Sequence, residues 1–152
     1  MANAGKKAAF LLGRTILGGY FIYTGLNHFK QHRQLVEFSR SKKVLLPHVA
    51  VPVTGAMLVG GGASLLLGLK PRTGALAIIG FLAAVTPWTS DFWNEQDANQ
   101  KQNSIAHFGK NVALLGATLA LAGAETWPLS VAAAEGKDRE TKRRRGMVRR
   151  AA

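Results

Sequence analysis

The stretch that decides the fold is VAVPVTGAMLVGGGASLLLGL, residues 49–69. It runs for 21 residues without one Asp, Glu, Lys or Arg. A hydrocarbon layer of roughly 30 Å asks about 20 such residues of an α-helix. Outward from it, three further apolar runs, at about 8–27, 73–88 and 105–124, are separated by short zones where charges collect. A chain of 152 residues has room for one ordinary domain. Its 47% apolar content is unexceptional as an average, so the distribution sets the class. The expectation is all-α: an integral membrane bundle of four transmembrane helices over residues 1–127, with an amphipathic first loop and a basic cytoplasmic tail over 128–152.

The first span opens on Lys6 and Lys7 and then turns apolar, as a signal peptide does. Arg14 interrupts it and no small-x-small cleavage site precedes Asn27, so a retained signal-anchor helix is expected. Gly60, Ser64 and Gly68 recur every four residues, as do Gly116, Ala120 and Ala124, which predicts one packing face on each helix. An even number of spans puts both termini on one side. That side carries Lys6, Lys7, Lys70, Arg72 and the eight Lys or Arg residues from Lys137 onward. The excess predicts cytoplasmic termini, in an inner membrane of bacterial or archaeal type. The first loop, HFKQHRQLVEFSRSKKVLLPHV (28–49), is also basic and alternates with apolar residues at helical period. It is expected to lie on the membrane surface with Leu35, Val36 and Phe38 dipping in. In the tail, Arg143, Arg144, Arg145, Arg149 and Arg150 suit anionic lipid headgroups or an acidic partner, and nucleic acid is not expected.

A cation within a span is costly and calls for a reason. There are two, Arg14 and Lys110. Arg14 is close enough to its membrane face to snorkel outward. Lys110 shares a helix face with His107 and Asn111, spaced i, i+3, i+4. The first span ends on the same side with Asn27 and His28, and the third leads out through Trp88 into Ser-Asp-Phe-Trp (90–93). Asp91 is the expected counter-ion of Lys110. Trp88, Phe92 and Trp93 form either an interfacial aromatic belt or the wall of a site. Asn27, His28, Asp91, Trp93, His107, Lys110 and Asn111 are therefore the candidate ligand- or partner-binding residues.

Catalysis by the chain alone finds no support. Cysteine is absent, which removes thiolate nucleophiles and thiolate metal ligands. His28 and His32 stand i, i+4 apart with no third ligand to complete a metal set. Ser90 and Ser104 lie outside any nucleophile elbow, and Val-Gly-Gly-Gly-Ala-Ser (59–64) has no preceding strand to make it a phosphate loop. No intrinsic cofactor is expected.

Several stretches resemble the DoxX-like family of small membrane proteins. LLGRTILGGYFIYTGLNHF (11–29) resembles its opening helix, and LLLGLKPRTGALAIIGFLAAVTPW (65–88) its second hairpin, with a Gly-Leu-x-x-Arg turn ending at Arg72. Asp-Phe-Trp (91–93) and HFGKNVALLGATLAL (107–121) are similar to its aromatic and fourth-helix motifs. The resemblance runs from about residue 11 to 123. It implies a four-helix membrane bundle tied to redox systems, whose members include a thiosulfate–quinone oxidoreductase subunit and anchors of oxidative-stress enzymes. The matching polar positions are Arg14, Asn27, Arg72, Asp91, Trp93, Lys110 and Asn111. One departure is the lack of any carboxylate between Val49 and Leu69, where relatives often carry one. Two functions follow as expectations: a subunit of a membrane redox system docking quinone or a redox partner at its extracytoplasmic end, or a non-enzymatic scaffold of a larger membrane complex.

Overall fold

The protein is described by a computed structural model covering residues 2–124, 127, 128 and 130; the arginine-rich end of the tail lies outside the described residues. Five helices follow in order: α1 (Ala2–Lys30), α2 (His32–Ser41), α3 (Pro47–Leu67), α4 (Pro71–Thr89) and α5 (Ala98–Ala122). No strand occurs among the described residues. Proline opens both α3 and α4, at the position where a missing N–H costs no helical bond. α3 stops at Gly68, whose φ of 69° suits a residue without a Cβ. The Ser64 hydroxyl closes the α3–α4 turn by donating to Leu69 O at 2.5 Å and Lys70 O at 3.1 Å. Asp97 caps α5 by accepting from the Gln100 N–H at 2.8 Å, so this helix starts seven residues before the apolar run that announced it.

The helices pack in chain order. α1 lies along α3, α3 along α4 and α4 along α5, while α1 and α5 barely touch. Glycine sets the closeness of the first crossing. A Cβ built on Gly18 would sit 2.8 Å from Gly62 O, and one on Gly62 would sit 2.7 Å from Gly18 O. Seven residues along, Gly25 meets Gly55 O at 2.7 Å in the same way, and Gly55 in turn abuts the His28 Cβ. Gly61 and Gly74 bring α3 and α4 together, each within 3.0 Å of the other's carbonyl oxygen on the same test. Around these crossings lies the core of Leu17, Phe21, Leu58, Leu65, Ala75, Ile78 and Leu82.

The packing corrects two expected faces. Gly60 faces open space, and the neighbours Gly61 and Gly62 make the contacts, although Ser64 does press on Gly74. Gly116 also meets nothing within 4 Å and Ala120 is exposed, so that stripe points away from the bundle. The first loop does contain an amphipathic helix, α2. Its Val36 is only 4% exposed and is covered by the protein itself rather than by lipid.

Arg14 does not reach outward. It is 5% exposed, donates from a guanidinium nitrogen to Pro128 O at 3.1 Å and lies 5.9 Å from the centre of the Trp127 ring. Trp127 meets Phe10 edge-on at 5.2 Å, so the chain beyond α5 folds back over α1 and shields the cation.

α3 and α5 are long and apolar enough to cross a membrane by length and composition. α1 and α4 contribute outward apolar side chains instead: Leu12, Ile16, Tyr23 and Leu26 make a stripe along α1, with Ile16 71% exposed, and Leu76 projects from α4. In water such a stripe is a liability; in lipid it is the favoured surface.

The α1–α3 crossing leaves no room for a side chain against a backbone oxygen. Gly62→Val should therefore lower the melting temperature in detergent by the equivalent of about 1–3 kcal/mol, whereas Gly60→Ala should leave it unchanged. Equal effects from the two would show that the crossing is not made by this face.

Candidate functional site

The gap where α5 stands off from α1 is a cavity of about 430 Å³. One wall is apolar and aromatic: Tyr20 and Phe21 from α1, Phe38 from α2, and Phe81, Leu82 and Val85 from α4. The other wall is a polar face of α5. Gln100, Asn103, Ser104, His107, Lys110 and Asn111 all line it, with Leu114 beneath. Steps of three and four residues put them on one side of the helix. The volume falls within the usual range of small-molecule sites, about 300–1,000 Å³.

The candidate residues divide between two places. His107, Lys110 and Asn111 line this cavity together, as their spacing predicts. Asp91 and Trp93 line a neighbouring hollow of about 540 Å³ with Ser41, Lys42, Lys43 and Trp88. Asp91 is paired with Lys42, Nζ to Oδ1 at 2.5 Å, and not with Lys110. The reason is reach. The end of α2 folds across the α4 exit and brings an ammonium to Asp91, while Lys110 lies more than three turns into α5 and faces the cavity. Phe92 stacks edge-on against Trp93 at 5.0 Å and Phe108 at 5.6 Å, so it belongs to the packing of the 90–97 loop on α5. His28 is committed within α1. Its Nδ1 bonds Thr24 O at 2.9 Å and its ring meets Phe81 edge-on at 6.0 Å. Asn27 sits half-buried in the last turn of α1, and Arg72 is exposed in the first turn of α4; neither lines a cavity described here. Arg143, Arg144, Arg145, Arg149 and Arg150 lie outside the described residues.

Sequence reasoning missed the rest of the lining. Gln100, Asn103 and Ser104 carry the His107–Lys110–Asn111 pattern back by two turns, a periodicity visible in the sequence once the helix is allowed to begin outside the apolar run. Tyr20, Phe38 and Phe81 carry no such signal. They come together only because α1, α2 and α4 converge. Among the described residues no three His, Asp or Glu side chains gather as a metal site would require.

The Lys42 ammonium, by hydrogen bond and charge, holds the Asp91 carboxyl below the usual carboxylate range. This pair is the link that ties α2 across the cavity mouth to the end of α4.

Comparison with protein families matches residues 9–91 to DoxX, more than half of the chain, from α1 through the exit of α4. No curated protein and no solved structure matches the chain. The matched span ends at Asp91, so the likeness of residues 107–121 to the fourth-helix motif rests on those residues alone.

A carboxyl whose folded-state pKa is depressed stabilises the fold fully above its unfolded value of about 3.9 and loses that contribution as pH falls through the folded value. Asp91→Asn should lower the melting temperature modestly at neutral pH, as a half-buried pair open to solvent warrants. The difference from the parent protein should close on acidification below about pH 4. Lys42→Ala should reproduce it. Were Lys110→Ala to reproduce it and Lys42→Ala not, the pairing described here would be wrong.

Proposed function

The chain belongs to the DoxX family, and from that premise we propose that it is a four-span inner-membrane subunit of a redox system, docking a quinone headgroup in the cavity between α1 and α5. Family membership and the two long apolar helices make it a membrane protein. The four-span reading adds α1 and α4. α4 has 19 residues and α1 has 29, lengths of about 28 and 44 Å, and both pack beside α3 and turn apolar residues outward. Termini on the cytoplasmic side follow from the basic residues at that end.

One observation carries the docking reading: the cavity sets an aromatic wall against a wall of hydrogen-bond donors. A quinone needs both. Its ring is flat and apolar, and its two carbonyl oxygens are acceptors with no donor of their own. Tyr20 and Phe81 offer ring faces or edges, and Lys110, Asn111 and His107 offer donors. Tyr20 and Phe21 pack edge-on at 5.5 Å, which stiffens that wall. The isoprenoid tail would leave through the loose seam between α1 and α5 into lipid. The chain supplies binding and orientation only. Electrons would come from a flavin- or haem-bearing partner, which the Lys43 side of the lip or the basic tail would engage. In the scaffold reading the same bundle only holds that partner.

Native mass spectrometry on protein extracted gently from its own membrane should find bound quinone, alone or with a cofactor-bearing partner at fixed stoichiometry. A hydrogen bond from a charged donor is worth about 1.5–3 kcal/mol, so Lys110→Ala should weaken quinone binding about 10- to 100-fold. Recovery with lipid only, or with a complex free of cofactors, would contradict the redox reading and leave the scaffold.

A further inference from the structure

The polar wall of α5 raises a question that quinone docking does not answer. Gln100, Asn103, Ser104, His107, Lys110 and Asn111 form an unbroken line over eleven residues, about 16 Å of helix. None of these six side chains makes a hydrogen bond or ion pair with another described residue. The facing wall is mostly apolar, with Phe21, Phe38, Phe81, Leu82 and Val85; among the described residues it offers the hydroxyls of Tyr20, Thr24 and Thr89, too few acceptors for six polar side chains, and no carboxylate. Lipid chains filling the gap would leave a lysine, two asparagines and a histidine without partners in hydrocarbon, an arrangement of high cost. A quinone headgroup has two carbonyl oxygens and can serve only two or three of these donors. The remainder need another partner along the whole line.

We infer that the space between α1 and α5 is a water-filled vestibule, open at the end of the bundle where α2 and residues 90–97 lie, and that it brings bulk water down α5 as far as Lys110 and Asn111. The volume of about 430 Å³ has room for on the order of ten waters. Its outer end is polar and exposed at Gln100 and Asn103, so the water column is continuous with solvent. Its inner end is closed by Leu114 and the core around Phe21 and Leu82. The vestibule is thus blind: it connects one aqueous side to the middle of the bundle and does not cross it. It gives any ligand seated against Lys110 a path for proton exchange with that side only, His107 and Lys110 being the titratable groups of α5 that line it and Tyr20 the one facing them from α1. α2 and α4 present no titratable side chain to it, since Phe38, Phe81, Leu82, Val85 and Thr89 are their lining residues. The inference holds whether or not quinone binds.

The chain has no cysteine, so single cysteines report directly on water. The protein is placed in quinone-free lipid vesicles, and a charged, membrane-impermeant maleimide is added from the side that labels a Glu95→Cys marker. Asn103→Cys, His107→Cys and Asn111→Cys should react at least tenfold faster than Val112→Cys and Leu119→Cys, whose side chains are exposed on α5 but point away from the cavity. The reagent given from the opposite side should label none of the three. Reaction of Asn103→Cys alone, with His107→Cys and Asn111→Cys as slow as Val112→Cys yet fully reactive after denaturation, would overturn the vestibule. So would labelling of Asn111→Cys from the opposite side, which would make the cavity open through the membrane. Should His107→Cys fail to accumulate, Ser104→Cys and Asn111→Cys decide the matter. A positive result here together with no bound quinone in native mass spectrometry would retire the docking reading and leave the vestibule standing.

Discussion

The α1–α3 crossing holds the rest in place. At Gly18 over Gly62, and again at Gly25 over Gly55, one backbone oxygen rests where the other helix would carry a Cβ. Dispersion between backbones at this distance, unaided by any hydrophobic gain in lipid, is what membrane helices have to hold them together. The glycines recur seven residues apart on both helices, so the two run side by side over several turns rather than touching at a point. α4 joins the pair through Gly61 and Gly74. The three form a tight slab whose buried residues are nearly all of the core.

α5 is outside that slab. Thr118 is the one residue of α5 buried among those described, and its glycines at 109 and 116 meet no neighbour. Packing of α1 on α3 and of α5 on α4, with little contact between α1 and α5, leaves a gap closed at the Leu114 end and open toward Gln100 and Asn103. Polar residues on the gap side of α5 are tolerated because the gap exists, and a tighter α5 would have to bury Lys110 without a partner. α2 crosses the mouth, with Phe38 facing the cavity and Lys42 fastened to Asp91. At the other end Arg14 is covered by Trp127 and Pro128, which fastens the exit of α5 to α1. α5 is therefore packed on α4, with Thr118 fully buried and Leu114 and Leu115 against the core, and stands away from α1 on its polar side.

Much of this was legible in the sequence, for identifiable reasons. A charge-free run of 21 residues has one economical solution, and α3 follows it within two residues at either end. The alternation of the first loop gave α2, since few segments outside a helix place Leu35, Val36 and Phe38 on one side of Arg33 and Glu37. The trio His107, Lys110 and Asn111 was legible because its spacing stays within one helix. What failed was long-range. Asp91 had two lysines within plausible reach, and only the fold of α2 over α4 selects Lys42. Three successive glycines at 60–62 present one to every side of the helix, so a four-residue repeat through Gly60 and another through Gly61 or Gly62 are equally good as patterns. Spacing tells which residues share a face and says nothing of where that face points, as Gly116 and Ala120 show.

The account stands on four crossings rather than two. With α1, α3, α4 and α5 all spanning, the α3–α4 turn and the loop before α5 lie on opposite sides of the membrane. With only α3 and α5 spanning, they lie on the same side. The measurement is the sidedness of a Lys70→Cys and a Glu95→Cys variant, each labelled in intact vesicles by a membrane-impermeant maleimide from one side and then the other. Labelling of the two from opposite sides is the predicted result. Labelling of both from the same side would contradict the four-span bundle, and with it the cavity as a site reached from one face of the membrane.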